Sequence, residues 1–163
     1  MFSLPMLIGE DMAALDGALA EFVAASGSRL ALVIDCGGFV VTKQGEPGEM
    51  DIATLGALAA NSFAATQAIA KIIEDHSVTS LYQEGQVNSL LMLTIGKFGF
   101  LAAVFPAEIG VGSVKFYAHE AVACIGRQFE AAQSRAPADG LDLAALNIAD
   151  AGPLFRRRAG SGG

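Results

Sequence analysis

The segment Leu30-Ala-Leu-Val-Ile-Asp35-Cys-Gly-Gly38-Phe-Val-Val-Thr42 decides the fold, because two short apolar runs flank a pair of glycines. Apolar, β-branched runs joined at a glycine pair are typical of a tight β-hairpin. The first run is continuously apolar, which predicts a strand covered on both faces of its sheet. Such a strand needs further strands beside it and helices on both sides.

The rest of the chain supplies these elements in the order helix, hairpin, long helix, three strands, helix. Apolar residues at helical spacing predict helices over Glu10–Ser26 and over about Val111–Ser134. Strands are predicted over Thr79–Glu84, Val87–Ile95 and Phe100–Phe105, and their short connections make them antiparallel neighbours. We therefore expect an α+β fold in which a five-stranded antiparallel sheet is sandwiched between a long central helix and two terminal helices.

The central helix is predicted to begin after an N-cap at Asp51 and to run to about Asp75. It is apolar almost all round, so it must be covered on more than one side. Its own sheet supplies one cover, and its many alanines allow a second helix to approach closely on another side. A core helix of a larger monomer is the alternative, but 163 residues leave little chain to cover it. We therefore predict a dimer interface at Gly56, Ala60, Phe63, Ala64 and Gln67.

Composition narrows the class of protein. The chain is 53% hydrophobic and 17% charged, which excludes a disordered chain. The net charge of −7 lacks the basic footprint of a sequence-independent nucleic-acid binder. Polar residues interrupt the apolar stretch Ile52–Ile73, and Gly96–Gly99 splits the stretch Val87–Phe105, so no membrane insertion is predicted.

Domain limits and compartment follow from the two ends of the chain and its cysteines. We expect one domain over residues 1–134 and a tail over residues 135–163 that is either flexible or docks through a short amphipathic stretch at 141–149. The N-terminus lacks the basic start and apolar core of a signal peptide, which favours the cytoplasm. Cys36 and Cys124 lie in apolar segments and are expected to be reduced and buried.

Groups that carry out catalysis or bind cofactors are sparse. His76 and His119 have no second histidine at metal-ligand spacing, and no GxSxG or phosphate-binding loop occurs. We therefore expect no enzymatic activity, no metal and no cofactor.

Four segments together resemble the roadblock/dynein light-chain family. The hairpin Val33–Gly45 resembles its first hairpin, and Leu55–Thr66 is similar to its alanine-rich central helix. Glu84-Gly85 resembles its turn between the third and fourth strands, and Gly110-Val-Gly112-Ser-Val114-Lys115 is similar to the Gly-x-Val-Arg signature that opens its last helix. The resemblance covers about residues 10–134.

The resemblance implies a roadblock/profilin-like fold and a non-enzymatic function. Members form homodimers or heterodimers with a paralogue, in which central helices and third strands meet. They bind Ras-like small GTPases or act as adaptors, and bacterial members of the MglB type regulate a small GTPase. A dimeric GTPase regulator is therefore our leading hypothesis, a scaffold indifferent to nucleotide is the alternative, and a small-ligand sensor is a third class. Candidate partner contacts are Asn61, Glu84, Gln86 and Lys115.

Overall fold

The computed structural model describes residues 3–135, and these contain three helices and five strands in the predicted order. The helices are α1 (Gly9–Ser26), α2 (Ile52–Ile72) and α3 (Val111–Arg135). The strands are β1 (Leu30–Asp35), β2 (Val40–Gly45), β3 (Ser80–Gln83), β4 (Asn88–Ile95) and β5 (Gly99–Pro106). Apart from Arg135, the tail predicted over residues 135–163, with its amphipathic stretch at 141–149, lies outside the described residues.

The strands form one sheet in the order β2-β1-β5-β4-β3, with every neighbouring pair antiparallel. β5 lies at the centre, and its side chains alternate between two apolar layers. Leu101 and Phe105 face α1 and α3, whereas Phe100 and Val104 face α2. Because both faces of β1 and β5 are covered, the prediction of a sheet sandwiched between helices is confirmed.

The layer of α1 and α3 covers one face of the sheet. Leu15 and Leu19 of α1 are fully buried, as are Ile125 and Phe129 of α3. The Phe129 ring packs on Phe98 at a centroid distance of 5.1 Å. This layer therefore holds α3 in a fixed position beside the sheet.

The Asp11 carboxylate, at the beginning of α1, contacts two residues near the end of α3. Asp11 is buried and accepts hydrogen bonds from the Ile8 backbone N–H at 2.8 Å and from Gln128 Nε2 at 2.6 Å, and it forms an ion pair with Arg135. The backbone hydrogen bond from Ile8, together with Gln128 and Arg135, holds the pKa of Asp11 below its usual value. Arg135, which the sequence placed at the start of the tail, is thus the last residue of α3.

The expected burial of the two cysteines is wrong. Cys36 is exposed in the β1–β2 turn, and Cys124 is exposed on α3. Apolar neighbours in sequence led to the prediction, but helical geometry buries Ala121 and Ile125 and leaves Cys124 pointing outward.

Candidate interaction surface on α2 and the β3 edge

The β1–β2 turn fixes the first half of α2 against the sheet. Asp35 Oδ1 accepts hydrogen bonds from the backbone N–H groups of Gly37 and Phe39, both at 2.9 Å. Gly38 has φ +90°, and a Cβ on it would lie 3.0 Å from the Ala57 Cα. A Cβ on Gly56 would lie 2.8 Å from the Gly38 carbonyl oxygen. The absence of side chains at these glycines therefore serves close packing within one protomer.

The inner face of α2 packs on the sheet. The Phe63 ring is fully buried and lies 4.6 Å from the Phe100 ring, measured between centroids. Ala59 and Ala60 are buried beside it. At the N-terminus of α2, the Asp51 carboxylate accepts a hydrogen bond from the Thr54 backbone N–H at 3.1 Å, which confirms the predicted cap. Its hydrogen bonds with the Thr54 hydroxyl and backbone lower the pKa of Asp51.

The outer face of α2 carries large apolar side chains that nothing in the described residues covers. Leu58 is 59% exposed, Ile69 is 57% exposed and Ile72 is 81% exposed. The spacing from Leu58 to Ile69 and Ile72 places them along one stripe of the helix. Ile73, directly after the helix, is also exposed. We call Leu58, Ile69, Ile72 and Ile73 the outer stripe.

The five residues predicted for self-association divide between two faces of α2. Gly56, Ala60 and Phe63 are buried against the protomer's own sheet, whereas Ala64 and Gln67 are exposed. The larger outer stripe was missed, because a helix that is apolar on every side gives no sequence signal for which side faces the core. The side predicted as the interface therefore includes part of the face that packs on the sheet.

The β3 edge forms the second part of the candidate surface. β3 is four residues long and pairs only with β4 within the described sheet. Leu81 lies half-buried on the α2 side, whereas Tyr82 stacks on Phe105 of the other side at 6.3 Å. Lys115 of α3 donates a hydrogen bond to Ser80 Oγ at 3.3 Å. Within residues 3–135, no strand pairs with the outer side of β3.

The four predicted partner contacts do not form one cluster. Asn61 is exposed on α2, on one side of the sheet, and Lys115 is exposed on α3, on the other. Glu84 and Gln86 are exposed in the connection between β3 and β4. Within one protomer the structure therefore separates Asn61 from the three residues that border the β3 edge.

The concave surface beside the β1–β2 turn lacks the features of a cofactor site. An open groove of about 670 Å³ lies beside Phe39 and is lined largely by apolar or small residues, with Thr42 and Lys43 at one end. Across residues 3–135, no three His, Cys, Asp or Glu side chains come together as a metal site requires. The groove also lacks the convergent polar groups expected of a small-ligand sensor.

Comparison with protein families identifies the domain. The model of the Roadblock/LC7 domain family matches residues 15–105, from α1 to the end of β5. The chain belongs to this family. No protein of curated function matches it.

Solved structures confirm the roadblock fold. The gliding protein MglB from Thermus thermophilus has 28% identity and a TM-score of 0.73, with 80% of this chain and 98% of that chain covered. A structure of MglB with a tetrameric arrangement has 28% identity and a TM-score of 0.75, with coverage of 81% and 99%. Myxococcus xanthus MglB, at 20% identity, has a TM-score of 0.73 with coverage of 78% and 96%, and it supports the fold alone.

The long apolar helix α2 also allows an interpretation other than a surface for protein contact. By length and composition α2 could cross a membrane. Core helices of soluble proteins meet the same criterion, and the inner face of α2 packs on the sheet through Phe63. We interpret the apolar outer face as a surface for protein contact.

Proposed function

We propose that this roadblock domain acts in the cytoplasm as a homodimer that binds a Ras-like small GTPase and modulates its nucleotide cycle. The outer stripe of α2 carries the proposal, because none of residues 3–135 covers its four large apolar side chains. Family membership supports it, since roadblock domains are generally regulatory or adaptor modules.

A second copy of the chain can cover the outer stripe and pair with the β3 edge at the same time. A two-fold dimer uses the same patch on both subunits, so an exposed helix can pack on its own copy while two edge strands pair. Ile72, at the C-terminal end of α2, and Leu81, half-buried on the α2 face of β3, then both become covered. The MglB structure with a tetrameric arrangement shows that a protein of this fold associates. A heterodimer with a paralogue uses the same surfaces.

The GTPase is proposed to bind the dimer near the paired α2 helices, where Asn61 supplies an exposed amide. Switch loops exchange between ordered and disordered states, so a rigid surface that prefers one state shifts the population. Regulation of this kind needs no catalytic side chain from the roadblock domain. Gln86 lies at the β3–β4 connection and is a second candidate contact.

The test is affinity capture of the tagged protein from its own cells with a non-hydrolysable GTP analogue, and separately with GDP. Recovery of a small GTPase in the analogue arm alone supports the proposal and supplies the substrate for a turnover assay. Asn61→Ala is expected to reduce this recovery, whereas Met6→Ala, an exposed change before α1, is the control. Partners recovered equally in both arms indicate the alternative, a dimeric scaffold that leaves nucleotide turnover unchanged.

A further inference from the structure

Two opposite charges at the β3 edge have no ionic partner among residues 3–135. Lys115 contacts the Ser80 hydroxyl, and neither Lys115 nor Glu84 forms an ion pair with any residue between 3 and 135. Both side chains are exposed. They lie at opposite ends of the same short strand, Lys115 above its first residue and Glu84 directly after its last.

Symmetry limits how β3 can pair with a second copy of itself. When a two-fold axis perpendicular to the sheet relates two antiparallel strands, one residue lies opposite its own copy. Residues that lie opposite each other point to the same face of the sheet. A β3–β3 pair must therefore be centred on one residue of the strand.

The structure shows which residues of β3 share a face. Ser80 contacts Lys115 of α3, and Tyr82 stacks on Phe105 in the layer of α1 and α3. Leu81 points to the opposite layer, toward α2. By the two-residue repeat of a strand, Glu84 continues the row of Ser80 and Tyr82.

We infer that β3 pairs with its copy in the register centred on Tyr82, so that Lys115 of each protomer forms an ion pair with Glu84 of the partner subunit. In this register Ser80 lies opposite the partner's Glu84, on the face that carries α3. Side chains directly opposite each other have Cβ atoms about 5 Å apart. Lys115, already hydrogen-bonded to Ser80, therefore reaches the partner's carboxylate, and the symmetry axis creates the pair twice.

The register centred on Leu81 lacks this charge complementarity. It places Ser80 opposite the partner's Tyr82 and leaves Glu84 beyond the paired segment. The Tyr82-centred register instead sets the two Tyr82 rings, each 41% exposed in the protomer, against each other across the axis. Aromatic cross-strand pairs stabilise antiparallel sheets. The inference rests on the homodimer that we propose as the functional form.

Charge reversal tests the ion pair. Lys115→Glu and Glu84→Lys are each expected to weaken self-association roughly tenfold, because each change places two pairs of like charges where the two β3 strands meet. The double variant restores opposite charges and is expected to return to within about threefold of the unaltered protein. Lys43→Glu and Glu46→Lys, at the opposite edge of the sheet, are the matched controls and leave the dissociation constant unchanged.

Cysteine cross-linking tests the register. In a protein with Cys36→Ser and Cys124→Ser, Tyr82→Cys is expected to form an intersubunit disulfide readily, since the two copies face each other. Leu81→Cys, one residue away, is expected to cross-link poorly. The reverse order overturns the proposed register.

Sedimentation of the unaltered protein separates the two possible failures. A chain that remains monomeric at high concentration overturns both the proposed homodimer and the inference. A dimer in which the double charge reversal does not restore affinity overturns the Lys115–Glu84 pair alone. Circular dichroism of each variant confirms that the fold is retained before sedimentation is interpreted.

Discussion

Replacing Ile72 by alanine is expected to weaken the dimer without weakening the protomer. Ile72 is 81% exposed near the end of α2, so its side chain contributes little to packing within one chain. In the proposed dimer it is buried against the second copy. The substitution therefore separates the free energy of association from the free energy of folding.

The expected loss of association free energy follows from the number of carbon atoms that the substitution removes. Ile72→Ala deletes three carbons, each worth about 0.8 kcal/mol when buried, and scaling by the exposed fraction leaves about 2 kcal/mol per protomer. Symmetry doubles this to about 4 kcal/mol per dimer, or an upper limit near 10³-fold in the dissociation constant. Buried area converts incompletely into affinity, so we expect roughly 30- to 100-fold.

Sedimentation velocity over a dilution series measures the dissociation constant, and urea unfolding at a concentration below it measures protomer stability. Met6→Ala is the control, because Met6 is 83% exposed and precedes α1 on the other side of the sheet from α2. A change below threefold in the dissociation constant for Ile72→Ala, or an equal change for Met6→Ala, refutes the assignment of the outer stripe to the interface.

Three further predictions concern the protomer. Phe63→Ala removes a fully buried ring from the contact between α2 and the sheet, and urea unfolding should show a loss of about 3–5 kcal/mol. Gly38→Ala should destabilise by about 1–3 kcal/mol, because φ is +90° and the new Cβ meets the α2 backbone. Gly17→Ala, in open space on α1, should instead stabilise by up to about 1 kcal/mol, and similar effects of the two changes would contradict the packing described. The lowered pKa of Asp11 means that its contribution is complete above the unfolded pKa, near 3.8, and is lost as pH falls through the lower folded pKa. The melting temperature of Asp11→Asn should therefore vary less than that of the unaltered protein as the pH falls below about 4, and parallel curves would refute this.

Most of the fold could be predicted from local signals. The glycine pair at 37–38, the Asp51 cap and the Gly96–Gly99 turn each set a boundary through backbone chemistry, and their positions agree with the structure. The central helix was expected to run to about Asp75 but ends at Ile72. The helix cannot continue to Asp75 because Glu74 adopts a left-handed backbone conformation, with φ +61°.

The candidate site could be predicted less well, because orientation around α2 is a tertiary property. Alanine at 60 and at 64 looks the same in sequence, yet the first is buried and the second is exposed. Ile72 is likewise exposed because it lies on the outer face of α2, which points away from the sheet. The residue types predicted an apolar surface, whereas the structure was needed to locate it.

The outer edge of the sheet limits how far this protein can assemble. In a dimer joined through β3, the two β2 strands become the ends of a ten-stranded sheet. The register of β2 against β1 shifts between Val33 and Ile34, and Lys43 projects from β2 into solvent. An irregular, charged edge is a poor template for another strand. In the proposed dimer, growth by strand addition would therefore stop at two copies, and any larger assembly would form through helices or turns.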